Sequence, residues 1–433
     1  MSRRVLRGGI VVGPSTSQRG DVLIDEGRIM AVGENLDSGG AEEVDCTGAW
    51  IGPAFVDLHT HLREPGGDAA ETITSGARAG VVGGYSALVA MPNTDPALDS
   101  VPVVRDVLER GRASVLDVAV CAAITVGRRG ERLAPLGDLA ALGVHLFSDD
   151  GTGVANPQVM RRALEYARPL GVRLAQHCED ADLCEGGVMN EGEWSLRLGL
   201  GGRPVAAEEI MVARDLDLLR WTGGRLHLLH LSSARSVSLA LAARAEGLDV
   251  TFEVTPHHLV LDESACADYD PVTKVHPPLR GRHDVDALGE LLRDGRIDAV
   301  ATDHAPHTPE SKDRPFDEAP AGLLGLEHAA ALTHEVLGGD RPVDLFRLLS
   351  RTPARIARLH ERGLLGLSAH GGDVVAGEDA NLVVFDPSET WIVDRARLQS
   401  RANNTPYHGR TLTGRVRHTL VRGELRVREG DLQ

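Results

Sequence analysis

From about residue 53 to residue 361, short apolar runs alternate with longer stretches of helical periodicity. Runs at 54–58, 85–90, 116–122, 144–147, 173–176, 225–229, 249–253 and 299–302 have the length and composition of buried strands. Stretches such as 157–168 and 285–293 space their apolar residues by three and four and predict amphipathic helices. Eight strands separated by helices predict an α/β fold in which a parallel sheet closes as a (β/α)₈ barrel of the TIM type. An open doubly wound sheet is the alternative, but no Gly-rich nucleotide loop follows the first strand.

The two ends of the chain are patterned differently. Val22, Leu23 and Ile24, then Asp25, Glu26 and Gly27, then the run 28–32 predict a hairpin. Apolar runs at 381–385 and 414–422 are also strand-like and end in turns such as Arg422-Gly423. Residues 1–52 and 362–433 are therefore expected to build one small β-sandwich-like domain, with 53–361 forming the barrel.

Composition narrows the function. The formal net charge is −17 with few aromatics, which disfavours binding to nucleic acid or an anionic membrane. An anionic substrate would need local positive groups. The five cysteines are scattered, with no CxxC pair, which argues against a disulfide framework and a thiolate zinc site and favours a reducing cytoplasm. No leader is expected at residues 1–12, and no apolar run has the length of a membrane span.

Chemistry collects where the apolar runs end. His59 and His61 follow the first run two residues apart, so on a strand they share a face and can reach one ion. In a chain with 18 histidines such a pair needs context. Asp150, His177, His230 and Asp303 supply it, each just past another apolar run, where a barrel displays its active site. Imidazole and carboxylate suit Zn²⁺, and a carboxylate has the two oxygens needed to span two ions. Asp57 is expected to orient one of the imidazoles. His227 reads as a packed histidine, His257 and His258 as loop-structural, and Glu179 as either orienting His177 or solvated.

The segment 57–66, DLHTHLREPG, resembles the signature of dihydroorotases in the amidohydrolase superfamily. So do MPNT at 91–94, FSDDG at 147–151, HCED at 177–180, TPHH at 255–258 and TDHAPH at 302–307. The match is nearest to the bacterial class I branch, which has an Asp where many relatives carry a carboxylated lysine. The resemblance implies a binuclear site holding one or two Zn²⁺. His59, His61 and Asp303 would bind one ion, His177 and His230 the other, with Asp150 bridging. Arg63 and Asn93 would bind the substrate carboxylate, with His307 completing that subsite and Asp303 doubling as the proton shuttle. Two positions depart from the family: His276 replaces an Asn before PPLR, and Ala321, before Gly322, replaces a Phe. Both belong to expected substrate contacts.

The implied reaction interconverts N-carbamoyl-L-aspartate and L-dihydroorotate in pyrimidine biosynthesis, with a nucleophile activated at zinc and Asp303 moving the proton. Arg63 favours a carboxylated ring over hydantoin or allantoin, because a guanidinium meets a carboxylate bidentately. The alternative is an allantoinase- or hydantoinase-type amidohydrolase. The reading from another class is a non-catalytic partner of aspartate transcarbamoylase, against which the complete ligand set weighs. The resemblance also implies a homo-oligomer and leaves room for association with such a transcarbamoylase. The stretch 303–322, rich in Pro and charge, reads as a mobile lid.

Overall fold

The structure is a computed structural model and describes residues 3–433. Eight strands line up in chain order: Phe55–Thr60, Tyr85–Ala90, Asp117–Ala122, Leu146–Ser148, Arg173–Gln176, Leu226–Leu228, Val250–Val254 and Ala299–Val300. Every neighbouring pair is parallel. Alternate residues fall into different apolar clusters. Ala87, Val89, Ala119 and Cys121 share one, while Leu88, Ala90, Val118 and Val120 belong to another. Burial on both faces is why these strands read as unbroken apolar runs.

The barrel closes without a regular ladder between its eighth and first strands. A single bridge joins Thr60 to His304, and His61 N donates to His304 O at 2.9 Å. The eighth strand is shorter than its apolar run, because Thr302 leaves the ladder: its N donates to Asp57 Oδ1 at 2.8 Å and its Oγ1 to Asp57 Oδ2 at 2.6 Å. Asp57 makes no imidazole contact, which corrects the role expected for it. Its carboxylate is taken up by the seam.

Helices cover the outside. Pro157–Leu170 begins on Asn156, whose side chain accepts from the amides of Gln158 and Val159. It buries Met160, Ala163, Leu164 and Ala167, the stripe its periodicity predicts. No helix among the described residues is long and apolar enough to cross a membrane.

Both ends of the chain build a second, nine-stranded sheet. Ser17–Asp25 and Arg28–Gly33 form the expected hairpin. Its turn residues Glu26 and Gly27 both have positive φ, which matches the twist of the flanking strands. The halves join where Trp50–Pro53 pairs antiparallel with the start of Leu382–Ile392. Leu6, Val22, Ile24, Ile51, Val384 and Leu420 pack between them.

Candidate metal centre

The fold brings the side chains at the strand ends to one buried spot. His59 lies on the first strand and His61 just past it, Asp150 two residues past the fourth, His177 directly after the fifth, His230 two past the sixth and Asp303 three past the eighth. All are buried. The Asp150 carboxylate sits centrally. Its Oδ1 lies 3.4 Å from His59 Nε2, 3.5 Å from His177 Nδ1 and 3.6 Å from His230 Nε2, and its Oδ2 lies 3.5 Å from His61 Nε2. Two sets of donors that could hold a metal ion share it: His59, His61 and Asp150, and Asp150, His177 and His230. Asp303 flanks the first set, with Oδ1 3.0 Å from His61 Nε2 and 3.5 Å from His59 Nε2.

This arrangement fits a metal on two observations. His59 Nε2 is buried and has no hydrogen-bond partner, although it faces two carboxylates. His177 Nδ1 and His230 Nε2 stand 2.8 Å apart, and each also lies within 3.6 Å of Asp150 Oδ1, so two ring nitrogens and a carboxylate oxygen converge. Nitrogen and carboxylate donors converging in this way suit a divalent ion of zinc's class. The backbone is also unusual here. His230 and Asp303 have φ of 34° and 46°, in a region non-glycine residues seldom adopt, as strain held at functional sites does.

A surrounding layer fixes the rings. His59 Nδ1 donates to Glu253 Oε1 at 2.9 Å, and the other oxygen of Glu253 accepts from His227 Nε2 at 3.0 Å. His227 Nδ1 in turn lies 2.8 Å from Thr251 Oγ1. Burial pushes the Glu253 carboxyl up, but its bonds with His227 and His59 outweigh this and bring it down to about 2. His177 Nε2 donates to Glu179 Oε2 at 3.1 Å, where Arg203 also binds at 3.1 Å. Such contacts set which ring nitrogen is free for a metal. Glu253 is the orienting carboxylate that the sequence did not reveal. Its signal was a charged residue inside an apolar strand, which must be paired when buried.

The expected substrate residues line one flank. Arg63, half-buried with φ of 60°, donates from Nε to Pro306 O at 3.2 Å, and its Nη2 lies 3.4 Å from His307 Nε2. Glu64 turns away to Arg110, so Arg63 is not its partner. Burial lowers the Arg63 guanidinium to about 10, still charged at neutral pH. His307 Nε2 donates to Ala321 O at 2.7 Å, and burial lowers this imidazole to about 3, which keeps it neutral. Asn93 Oδ1 accepts from His61 Nδ1 at 2.8 Å, so the residue touches the metal cluster as well as the substrate flank. His276 stands within electrostatic range of Glu179 and His177; its Nε2 has no partner, and burial lowers it to about 3. The stretch expected to move is clipped in this structure. Lys274 Nζ donates to Phe316 O and Asp317 O, and Lys312 Nζ to Pro271 O and Pro320 O.

A barrel whose C-terminal mouth gathers histidines around a shared carboxylate, a donor set that could hold a metal ion, is that of a hydrolase of the amidohydrolase superfamily. Solved structures of that kind share the fold. The dihydropyrimidinase from Brevibacillus agri matches with a TM-score of 0.85 at 24% identity, covering 99% of this chain and 96% of its own. A D-hydantoinase from Thermus sp. matches at 0.84 and 25%, with the same coverage. Sequence comparison is more specific. Residues 48–236 match the "Dihydro-orotase-like" family model. A dihydroorotase from Streptomyces coelicolor is 45% identical over 435 residues, covering 100% of both chains. One from Mycobacterium tuberculosis is 45% identical over 426 residues, covering 96% of each. The chain belongs to the dihydroorotase family and is a cyclic-amide hydrolase.

Proposed function

We propose that this enzyme interconverts L-dihydroorotate and N-carbamoyl-L-aspartate, using zinc held by His59, His61 and Asp303 on one side of Asp150 and by His177 and His230 on the other. The observation that carries the proposal is the placement of a half-buried, charged guanidinium, Arg63, at the edge of the carboxylate-centred histidine cluster. A ring amide is cleaved at the cluster, and a ring carboxylate needs a cation beside it. Hydantoin offers Arg63 no such group.

When bound, zinc supplies Lewis acidity toward an amide carbonyl and makes nearby water more acidic. The chain's own groups do the rest. Arg63 meets the substrate carboxylate through two parallel N–H bonds. The free amide of Asn93 donates to the remaining carboxylate oxygen, and the neutral His307 ring, its N–H held by Ala321 O, packs beside the carboxylate and fixes the ring orientation. Asp303, 3.0 Å from His61 Nε2, takes a proton from the attacking water and delivers it to the departing ring nitrogen. Burial raises the Asp303 carboxyl, and without a metal its neighbours His59 and His61 outweigh burial and hold it low. His276 and Ala321, where the family has Asn and Phe, give this subsite an imidazole edge and a smaller wall.

The test is hydrolysis of dihydroorotate by purified protein with and without added Zn²⁺, beside hydantoin and allantoin. Zinc-dependent turnover of dihydroorotate alone is expected. Ring opening adds a carboxylate and releases a proton. The equilibrium ratio of cyclic to open form should therefore rise about tenfold per unit fall in pH above the carboxylate range. Turnover of hydantoin in preference, or a ratio that does not move with pH, would refute the assignment.

A further inference from the structure

Asn404 lies far in sequence from every strand-end motif, in the segment linking Leu382–Ile392 to Thr411–Val421 of the terminal sheet. It is 2% exposed. Its Nδ2 donates to Ala305 O and to Gly322 O, each at 3.0 Å, and its Oδ1 accepts from His307 N at 3.1 Å. Its backbone carbonyl accepts from Leu324 N at 3.1 Å. One carboxamide thus ties together the loop that carries Asp303 and His307 and the loop that carries Ala321 and Gly322. The His307 ring spans the same two loops through Ala321 O.

The two loops meet with no slack. Gly322 has φ of 137°, and a Cβ there would lie 2.7 Å from Ala305 Cβ and 2.9 Å from His307 Nε2. Only a side chain with two N–H donors and one acceptor meets all three backbone groups. An isosteric carboxylate would face two carbonyl oxygens.

We infer that Asn404 is a positioning residue for the substrate-carboxylate subsite. It holds the His307 ring and the Gly322 backbone opposite Arg63, and so sets substrate affinity without touching substrate. The inference rests on the dihydroorotase assignment above.

Steady-state kinetics on zinc-loaded protein test it, using Asn404→Ala, Asn404→Asp, His307→Ala and the double variant Asn404→Ala/His307→Ala. A misplacement near 1 Å in a binding site costs up to about a hundredfold. Asn404→Ala should raise KM for dihydroorotate by roughly tenfold or more, with kcat within about threefold and zinc content unchanged. Asn404→Asp, which keeps the volume, should act in the same direction. In the His307→Ala background the further rise in KM from Asn404→Ala should shrink to less than about threefold, because one of the two groups it positions is gone and only the part acting through Gly322 is left. Asn403→Ala, at an exposed neighbour, should leave KM alone.

An unchanged KM in folded Asn404→Ala would overturn the inference. So would an equal factor in both backgrounds, or loss of fold or zinc in both Asn404 variants, which would make the residue a support of the fold. Failure of the unsubstituted enzyme to turn over dihydroorotate would instead remove the assignment on which the inference stands.

Discussion

The two ends of the barrel bury clusters of the same residue types and satisfy them differently. At the N-terminal end, Asp117 opens the third strand. Its Oδ2 accepts from His370 Nε2 at 2.9 Å and from Ser368 N at 3.0 Å, and its Oδ1 accepts from Arg422 Nη1 at 3.1 Å. His370 Nδ1 accepts from Ser86 Oγ at 2.8 Å. Every polar atom of that His–Asp pair has a partner within the chain. At the C-terminal end, His59 Nε2 has none, four imidazoles crowd one carboxylate, and two of the residues sit at positive φ. Saturated polar groups hold a fold together, whereas buried unsatisfied ones converging on a point await something else. Conserving residue type across the two ends therefore says little; the bonding around each residue separates support from chemistry.

Reciprocal substitutions give the largest effect. Asp303→Asn should lower kcat by roughly 10²–10⁴, the range of general acid–base catalysis, while the unfolding transition stays near that of the unsubstituted protein. Asp117→Asn should do the reverse, costing about 3 kcal/mol of stability by depriving buried His370, and half-exposed Arg422, of their charged partner, with turnover per folded molecule retained. Loss of turnover in folded Asp117→Asn would break the comparison.

Acid sharpens it next. Burial tends to raise the Asp117 carboxyl, but the bond and charge of His370, with Ser368 and Arg422, bring it down to about 2. Because the folded pKa is depressed, the stabilisation is complete above the unfolded value near 4 and is lost as pH falls through about 2. The stability gap between the unsubstituted protein and Asp117→Asn should narrow by about 2 kcal/mol between pH 4 and pH 2, read from denaturant unfolding. A gap constant over that window would mean that Asp117 is not ionised in the fold.

The smallest effect concerns the layer around the metal cluster. Glu179→Gln keeps the shape at His177 but weakens the acceptor on its Nε2. Zinc affinity, measured by competition with a chromogenic chelator, should fall about tenfold while stability without metal is unchanged. An unchanged affinity would show that Glu179 serves Arg203 alone.

Much of this was legible because parallel strands buried on both faces leave a plain trace: short apolar runs, each followed by the residue it presents at the barrel mouth. His59, His61, Asp150, His177, His230 and Asp303 could be picked out from that trace, and the hairpin at Glu26-Gly27 from its turn residues. What escaped depends on partners distant in sequence. The shared face of Asp57 with His59 suggested an imidazole contact, but its carboxylate is claimed by Thr302, 245 positions on. Asn404 reaches Ala305 across 99 positions, with no local pattern to announce it. Glu253 was visible as a residue but not as a role, since strand periodicity fixes a face and leaves the bonding partner open.

The seam between the two halves of the terminal sheet also sets an order of assembly. Trp50–Pro53 leaves the ribosome long before its partner Leu382–Ile392, with roughly 330 residues between them. At typical translation rates of about 5–20 residues per second, that edge waits some 15–65 s for its hydrogen bonds. Over that interval all eight barrel strands emerge and can pair in succession, while the first strands of the chain present an open edge, the kind of surface that nascent-chain chaperones shield.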